Sequence, residues 1–148
     1  MSAETDLIKL YSGQILQLAS SIPHTERLSA PTATARRRSP LCGSTVTVDI
    51  VVDDGRITQY GQDVKACALG QAAASVVAGG IIGCDRATVE RARDQLRSML
   101  KEDGAAPEPP FAGLEVLRPA RDYKNRHSSI LLSLEATLEA FENVSAPA

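Results

Sequence analysis

The chain has 148 residues, a net charge of -2 and a pI near 5.7, so it carries no long-range attraction for DNA or anionic lipid. Aromatics are 3% of the residues and Trp is absent, which excludes the base-stacking nucleic-acid modules and makes the core aliphatic. Three Cys, at positions 42, 67 and 84, are too few and odd in number for a secreted disulfide scaffold, and no apolar run approaches the roughly 18 residues of a membrane span.

The first residues, Met1 to Asp6, are acidic and lack the basic start and apolar run of a signal peptide, so the expectation is a soluble cytoplasmic protein with reduced thiols. Leu7, Ile8, Tyr11, Ile15 and Leu18 recur at helical spacing and predict an amphipathic helix that breaks near Pro23. Residues 24–40 are polar, contain Arg36-Arg37-Arg38 and read as a loop. The β-branched run from Thr45 to Val52 predicts a strand, Asp53-Asp54-Gly55 a turn, and Arg56 to Tyr60 the returning strand. A further extended piece, about residues 63–66, leads to Cys67.

From Cys67 the texture changes to Ala and Ser around Leu69, Val76 and Val77, a small-residue helix able to lie close to the sheet, ended by Gly79-Gly80 and Gly83. Thr88 reads as the N-cap of the next helix, with Val89, Ala92, Leu96, Met99 and Leu100 as its apolar stripe and Asp103-Gly104 as its stop. Pro107, Pro109 and Pro110 mark a loop, Leu114 and Leu117 a short segment. The last helix carries Leu131, Leu134, Leu138 and Phe141 on one face, with Ser128 or Ser129 as its N-cap, before a frayed tail. Strands segregated from helices predict an α+β domain with an antiparallel sheet.

Cys67 stands at a strand-to-helix junction, where a helix N-terminus stabilises a thiolate; Lys65 is two residues away and the neighbours are small. A Cys among alanines is equally well a small buried hydrophobe, and 25 residues between Cys42 and Cys67 is no standard ligand spacing. His127 lies four residues before Leu131 and so shares the core-facing stripe, where a lone His is more often structural than a ligand. Arg36-Arg37-Arg38 and the group Arg121, Lys124 and Arg126 are basic patches near Cys42 and His127; each reads first as solvated surface, and together they would make a shared site electropositive. Cys84 has no motif and serves as the control thiol.

Taken together, Pro40-Leu41-Cys42-Gly43, the strand pair with Val52-Asp53-Asp54-Gly55-Arg56-Ile57, the Cys67-Ala68-Leu69 junction and the His127-Ser128-Ser129-Ile130-Leu131 run resemble the iron–sulfur cluster assembly scaffolds of the NifU N-terminal type, the IscU/SufU family. The resemblance implies a single domain over residues 1–148, with a core of about residues 10–142 and a flexible tail, 143–148. Its fold is α+β, a three-stranded antiparallel sheet with helices packed on one face. It also implies one surface site built by three loops that in the family carry three Cys. Cys42 and Cys67 match the first two; the third falls at Ser128, preceded by His127, where one branch of the family also has His. Ser44 stands where the family often has Asp.

Serine oxygen is a poor ligand for clustered iron or for zinc. One chain thus offers two thiolates and one imidazole, one short of the four ligands of a two-iron cluster. Pooling Cys42 and Cys67 across a homodimer would supply four thiolates. The resemblance implies a non-enzymatic scaffold or carrier, monomeric or a cluster-bridged homodimer. It would hold a transient iron–sulfur cluster ([2Fe-2S]) or persulfide sulfur on Cys42 and Cys67, with His127 as auxiliary ligand and zinc as an alternative occupant. The partners implied are a cysteine desulfurase and apo iron–sulfur acceptor proteins, with neither nucleic acid nor membrane involved. Two rival readings stand beside it: a module that passes persulfide from a desulfurase to another acceptor, and a degenerate member that docks partners without metal.

Overall fold

The computed structural model describes residues 13–40 and 43–145. The elements run α1 (Gly13–Ser20), β1 (Ala33–Arg38), β2 (Thr45–Asp53), β3 (Arg56–Lys65), α2 (Ala68–Gly80), α3 (Arg86–Glu102), two 3-10 segments (Ala112–Asp122 and Lys124–Arg126) and α4 (His127–Ser145). The strands form an antiparallel sheet in the order β1-β2-β3. The first part of the predicted first helix, residues 7–12, lies outside the described residues, as do Leu41, Cys42 and residues 146–148.

The third strand is not where the sequence reading put it. The stretch read as loop contains β1, and the extended piece at residues 63–66 is the continuation of β3, which runs unbroken to Lys65. β1 has the sequence ATARRR: Ala33 and Ala35 are buried while Thr34, Arg36 and Arg38 are exposed. Its inward residues are too small to register as a hydrophobic alternation. Its arginines suit an edge strand, where charge discourages pairing with another chain. Arg37 lies over α4, paired with Glu135 and Glu139 at 3.7 and 3.4 Å. β2 and β3 join through Asp54 and Gly55, both at positive φ (53° and 77°), as a two-residue primed hairpin turn requires.

α2 and α4 pack on one face of the sheet, whose buried residues include Ala33, Ala35, Val46, Val48, Ile50 and Tyr60, and α1 and α3 pack in turn on α2 and α4. Burial pushes the Tyr60 phenol up to about 12, and its hydroxyl bonds Thr137 on α4 at 3.1 Å. The apolar stripe of α3 is as expected: Val89, Ala92, Leu96, Met99 and Leu100 are buried. Its N-cap is Asp85 rather than Thr88; the Asp85 carboxylate accepts from the Thr88 N–H (2.9 Å) and hydroxyl (2.7 Å). Asp103, in the left-handed region at φ 54°, ends the helix. Helix α4 is not amphipathic in the expected way. Beyond Leu131, Leu134, Leu138 and Phe141 it also buries Ile130, Leu132, Ala136 and Ala140, because it contacts β1, β2, α2 and α3 at once. Its polar surface is reduced to a stripe with Glu135, Glu139 and Glu142, as befits a helix set into the core.

The opposite face of the sheet is strapped by residues 24–32. The carboxylate of Asp49, buried in β2, accepts from Arg27 Nε at 2.5 Å, from the Thr34 hydroxyl at 2.6 Å and from the Leu28 N–H at 3.1 Å. Burial alone would raise the Asp49 pKa; the donors outweigh it and hold the carboxyl below its ordinary value. A lowered folded-state pKa contributes stability that is fully present above the unfolded value of about 3.9 and lost as pH falls through the folded one. Urea unfolding followed from about pH 7 down to about pH 3 should therefore show stability falling below about pH 4, with a shallower fall in Asp49→Asn. Asp49→Ala leaves the Leu28 N–H and the Thr34 hydroxyl without this acceptor and should cost about 2 kcal/mol at neutral pH.

Candidate functional site

The strand register brings three segments to one end of the sheet. Arg38 pairs with Thr45, and Thr45 with Lys65, so the β1–β2 connection and the exit of β3 into Cys67 leave side by side. The connection is tight: the Ser39 N–H donates to the Ser44 carbonyl at 2.7 Å and the Gly43 N–H to the Ser39 carbonyl at 2.9 Å. Cys42 belongs to this connection but lies outside the described residues. Cys67 is the N-cap of α2, half-buried and free of any disulfide. Its side chain makes no capping hydrogen bond; Sγ lies 3.6 Å from the Ser129 hydroxyl instead.

The first turn of α4 is the third segment, and it divides its side chains among its neighbours. Successive residues of a helix point about 100° apart. Ser128 reaches the β1–β2 connection, Oγ to Oγ of Ser39 at 2.6 Å. Ser129 stands between Ser44, at 2.9 Å, and Cys67. Having one proton and two lone pairs, its hydroxyl can bond both at once. Neither serine is an N-cap, since the 3-10 segment Lys124–Arg126 feeds directly into His127.

His127 is buried, and its Nε2 donates to the carbonyls of Ala120 (3.1 Å) and Arg121 (3.0 Å). Both partners are acceptors, so Nε2 carries a proton, and Nδ1 is the nitrogen that holds the lone pair in the neutral ring. His127 and Cys67 share this end of the fold but bond to different neighbours. A carbonyl on one ring nitrogen is the usual support of a histidine that ligates through the other, and it is also what a purely structural histidine needs. Among the described residues, no three His, Cys, Asp or Glu side chains stand close enough to hold a metal ion.

Close approach of α2 and α4 makes this arrangement. A Cβ on Gly70 would lie 2.5 Å from the Ser129 Oγ and 2.9 Å from the Ala66 Cβ, so any side chain there forces the two helix starts apart. Cys84 is at the other end. It follows the C-terminus of α2, its carbonyl accepts from the Ile57 N–H at the start of β3, and its buried Sγ donates to the Gly80 carbonyl at 3.2 Å. Burial, with Asp85 beside it, pushes its thiol up; Arg56, brought near by the fold and invisible as a sequence neighbour, opposes this in part.

The structure superimposes on that of a nitrogen-fixing NifU-like protein (N-terminal) from Brucella abortus with a TM-score of 0.92 and 41% sequence identity, over 97% of this chain and 99% of that one. The chain belongs to the NifU-like N-terminal family. Two further solved structures share the fold: a protein named for iron–sulfur cluster assembly in the SUF system of Fervidobacterium islandicum AW-1 (TM-score 0.81, 18% identity, 90% of this chain and 97% of that one) and a hypothetical protein (0.76, 19%, 91% and 98%). No family model and no curated protein matches the chain.

In this NifU-like chain, sequence reasoning singled out Ser44 and Ser128 as residues of an altered ligand set. It missed Ser39 and Ser129, the hydroxyls that bind them, and Gly70, which lets them meet. Gly70→Ala should lower stability by about 1–3 kcal/mol through overpacking. Adding Ser129→Ala should recover part of that loss, so a double-mutant cycle read by urea unfolding should show coupling of about 1 kcal/mol. In a Cys42→Ser background, native protein should present one rapidly alkylated thiol, Cys67, with Cys84 reacting only on unfolding; peptide mass mapping after iodoacetamide checks this.

Proposed function

We propose that this chain is an iron–sulfur cluster assembly scaffold or carrier, with Cys42 and Cys67 holding nascent cluster or persulfide sulfur and Nδ1 of His127 as auxiliary ligand. The observation that carries the reading is the half-exposed thiol of Cys67 at a helix start, flanked by the connection that contains Cys42 and by the turn that contains His127, in a chain of this family. Thiolate is both the ligand that iron in clusters prefers and the nucleophile for sulfur transfer. The name of the Fervidobacterium structure, an assembly scaffold, supports the same reading. The cluster here is cargo. Two thiolates, an imidazole and serine oxygens suit cargo that must leave, since oxygen donors bind clustered iron weakly.

A second reading is persulfide carriage, for which the one partly exposed thiol of Cys67 suffices. The Cys67 thiolate would attack the outer sulfur of a desulfurase persulfide, forming Cys67–S–S⁻ and releasing the desulfurase thiolate, with no metal required. Iron separates the two. Protein purified without oxygen, or reconstituted with iron and sulfide, should contain both elements, and Cys67→Ser should lose them while Cys84→Ser keeps them. Persulfide on Cys67 with no iron uptake would favour the second reading, and equal losses in both variants would defeat the site assignment. Ser128→Cys, which replaces a weak oxygen donor by thiolate, should lengthen the life of the reconstituted cluster under chelator.

A further inference from the structure

An open cavity of about 1080 Å³ lies between the C-terminal half of α3, residues 121–124 and the first two turns of α4. It is of the size that accepts a small molecule rather than a single ion. Ser128 lines it, whereas Cys67 does not, so the cavity reaches the site from the side away from that thiol. Arg97, Lys101 and Lys124 also line it.

Four basic and four acidic side chains line the cavity, and the way they pair points to an anion. Three of the acids are held by arginines, Asp103 by Arg118 and Arg121, both at 2.8 Å, Glu135 by Arg37 at 3.7 Å and Asp122 by Arg121 at 4.0 Å, while Glu102 accepts from the Ser98 hydroxyl at 3.5 Å and keeps its charge. Arg97, Lys101 and Lys124 have no ion pair among the described residues. Three uncommitted cations thus surround a hollow whose inner wall includes the position that lacks a thiolate.

We propose that this cavity binds a small carboxylate-bearing thiol, which pairs its carboxylates with Arg97, Lys101 and Lys124 and presents its sulfur beside Ser128 as the missing ligand of the cargo cluster. On binding iron the thiol gives up its proton to solvent, so no oxidant or reductant is consumed. The inference rests on the scaffold reading for its second half only; the anion site itself stands on the cavity and its charges. A ligand held by surface ion pairs and one metal–sulfur bond leaves readily, as a carrier's cargo must.

Reduced glutathione is the probe, with S-methylglutathione as its twin that keeps the carboxylates and lacks a free thiol. Calorimetry on apo-protein should show one site for both, weakened by added salt and weakened about tenfold in Arg97→Glu/Lys101→Glu, two substitutions on the surface of α3. On the reconstituted protein, glutathione but not S-methylglutathione should slow cluster loss to chelator, and Ser128→Cys should abolish that dependence. Absence of apo-protein binding, or binding insensitive to the double charge reversal, overturns the anion site. Equal effects of the two tripeptides on cluster lifetime overturn the ligand role. Failure of the protein to take up iron and sulfide at all is a separate result that defeats the scaffold reading, and the calorimetry on apo-protein reads the cavity independently of it.

Discussion

Contact between the starts of α2 and α4 is the constraint on which the rest depends. With hydrogen alone at Gly70, the Ser129 hydroxyl can sit where a Cβ would be 2.5 Å away. From there it touches both Ser44 and Cys67. This contact docks the core helix onto two other parts of the chain, one before β2 and one after β3. A small displacement would separate the thiol, the connection and the turn together. The alanine texture of α2, with Ala72, Ala73, Ala74 and Ala78 all buried, extends the same close packing along the helix.

Hydroxyl pairs join the segments that meet at this end of the sheet. Ser39 with Ser128 and Ser44 with Ser129 are neutral bonds at 2.6 and 2.9 Å. Each satisfies a buried or half-buried oxygen, so the site holds its shape without like charges facing each other. Serine oxygen is a weak donor to clustered iron, which links this packing to the proposed transient cargo.

Much of the fold was legible where local chemistry and tertiary context agree. The α3 stripe, the Asp54-Gly55 turn and the strand-to-helix junction at Cys67 follow from periodicity and turn residues alone. β1 was not legible, because Ala33 and Ala35 bury little surface and the arginines beyond them look like a solvated loop. Reading Thr88 as the cap overlooked Asp85, the better acceptor, three residues earlier. The single apolar face expected for α4 reflects a surface helix, and this helix is central. The site was legible only in part. Cys67 announced itself by position, but the Ser39–Ser128 bond spans 89 residues and leaves no local pattern. The carbonyls that engage His127 belong to a 3-10 segment for which the sequence predicted no element.

The strand register sets the β1–β2 connection beside the exit of β3, and we propose that this brings the thiols of Cys42 and Cys67 together at one end of the sheet. A short bifunctional thiol reagent that fluoresces only after joining two sulfurs tests it directly, with peptide mass mapping to identify the pair. The account predicts rapid intramolecular linkage of Cys42 to Cys67 in native apo-protein, unchanged in Cys84→Ser. Linkage that requires Cys84, or none between Cys42 and Cys67 within one chain, would contradict it.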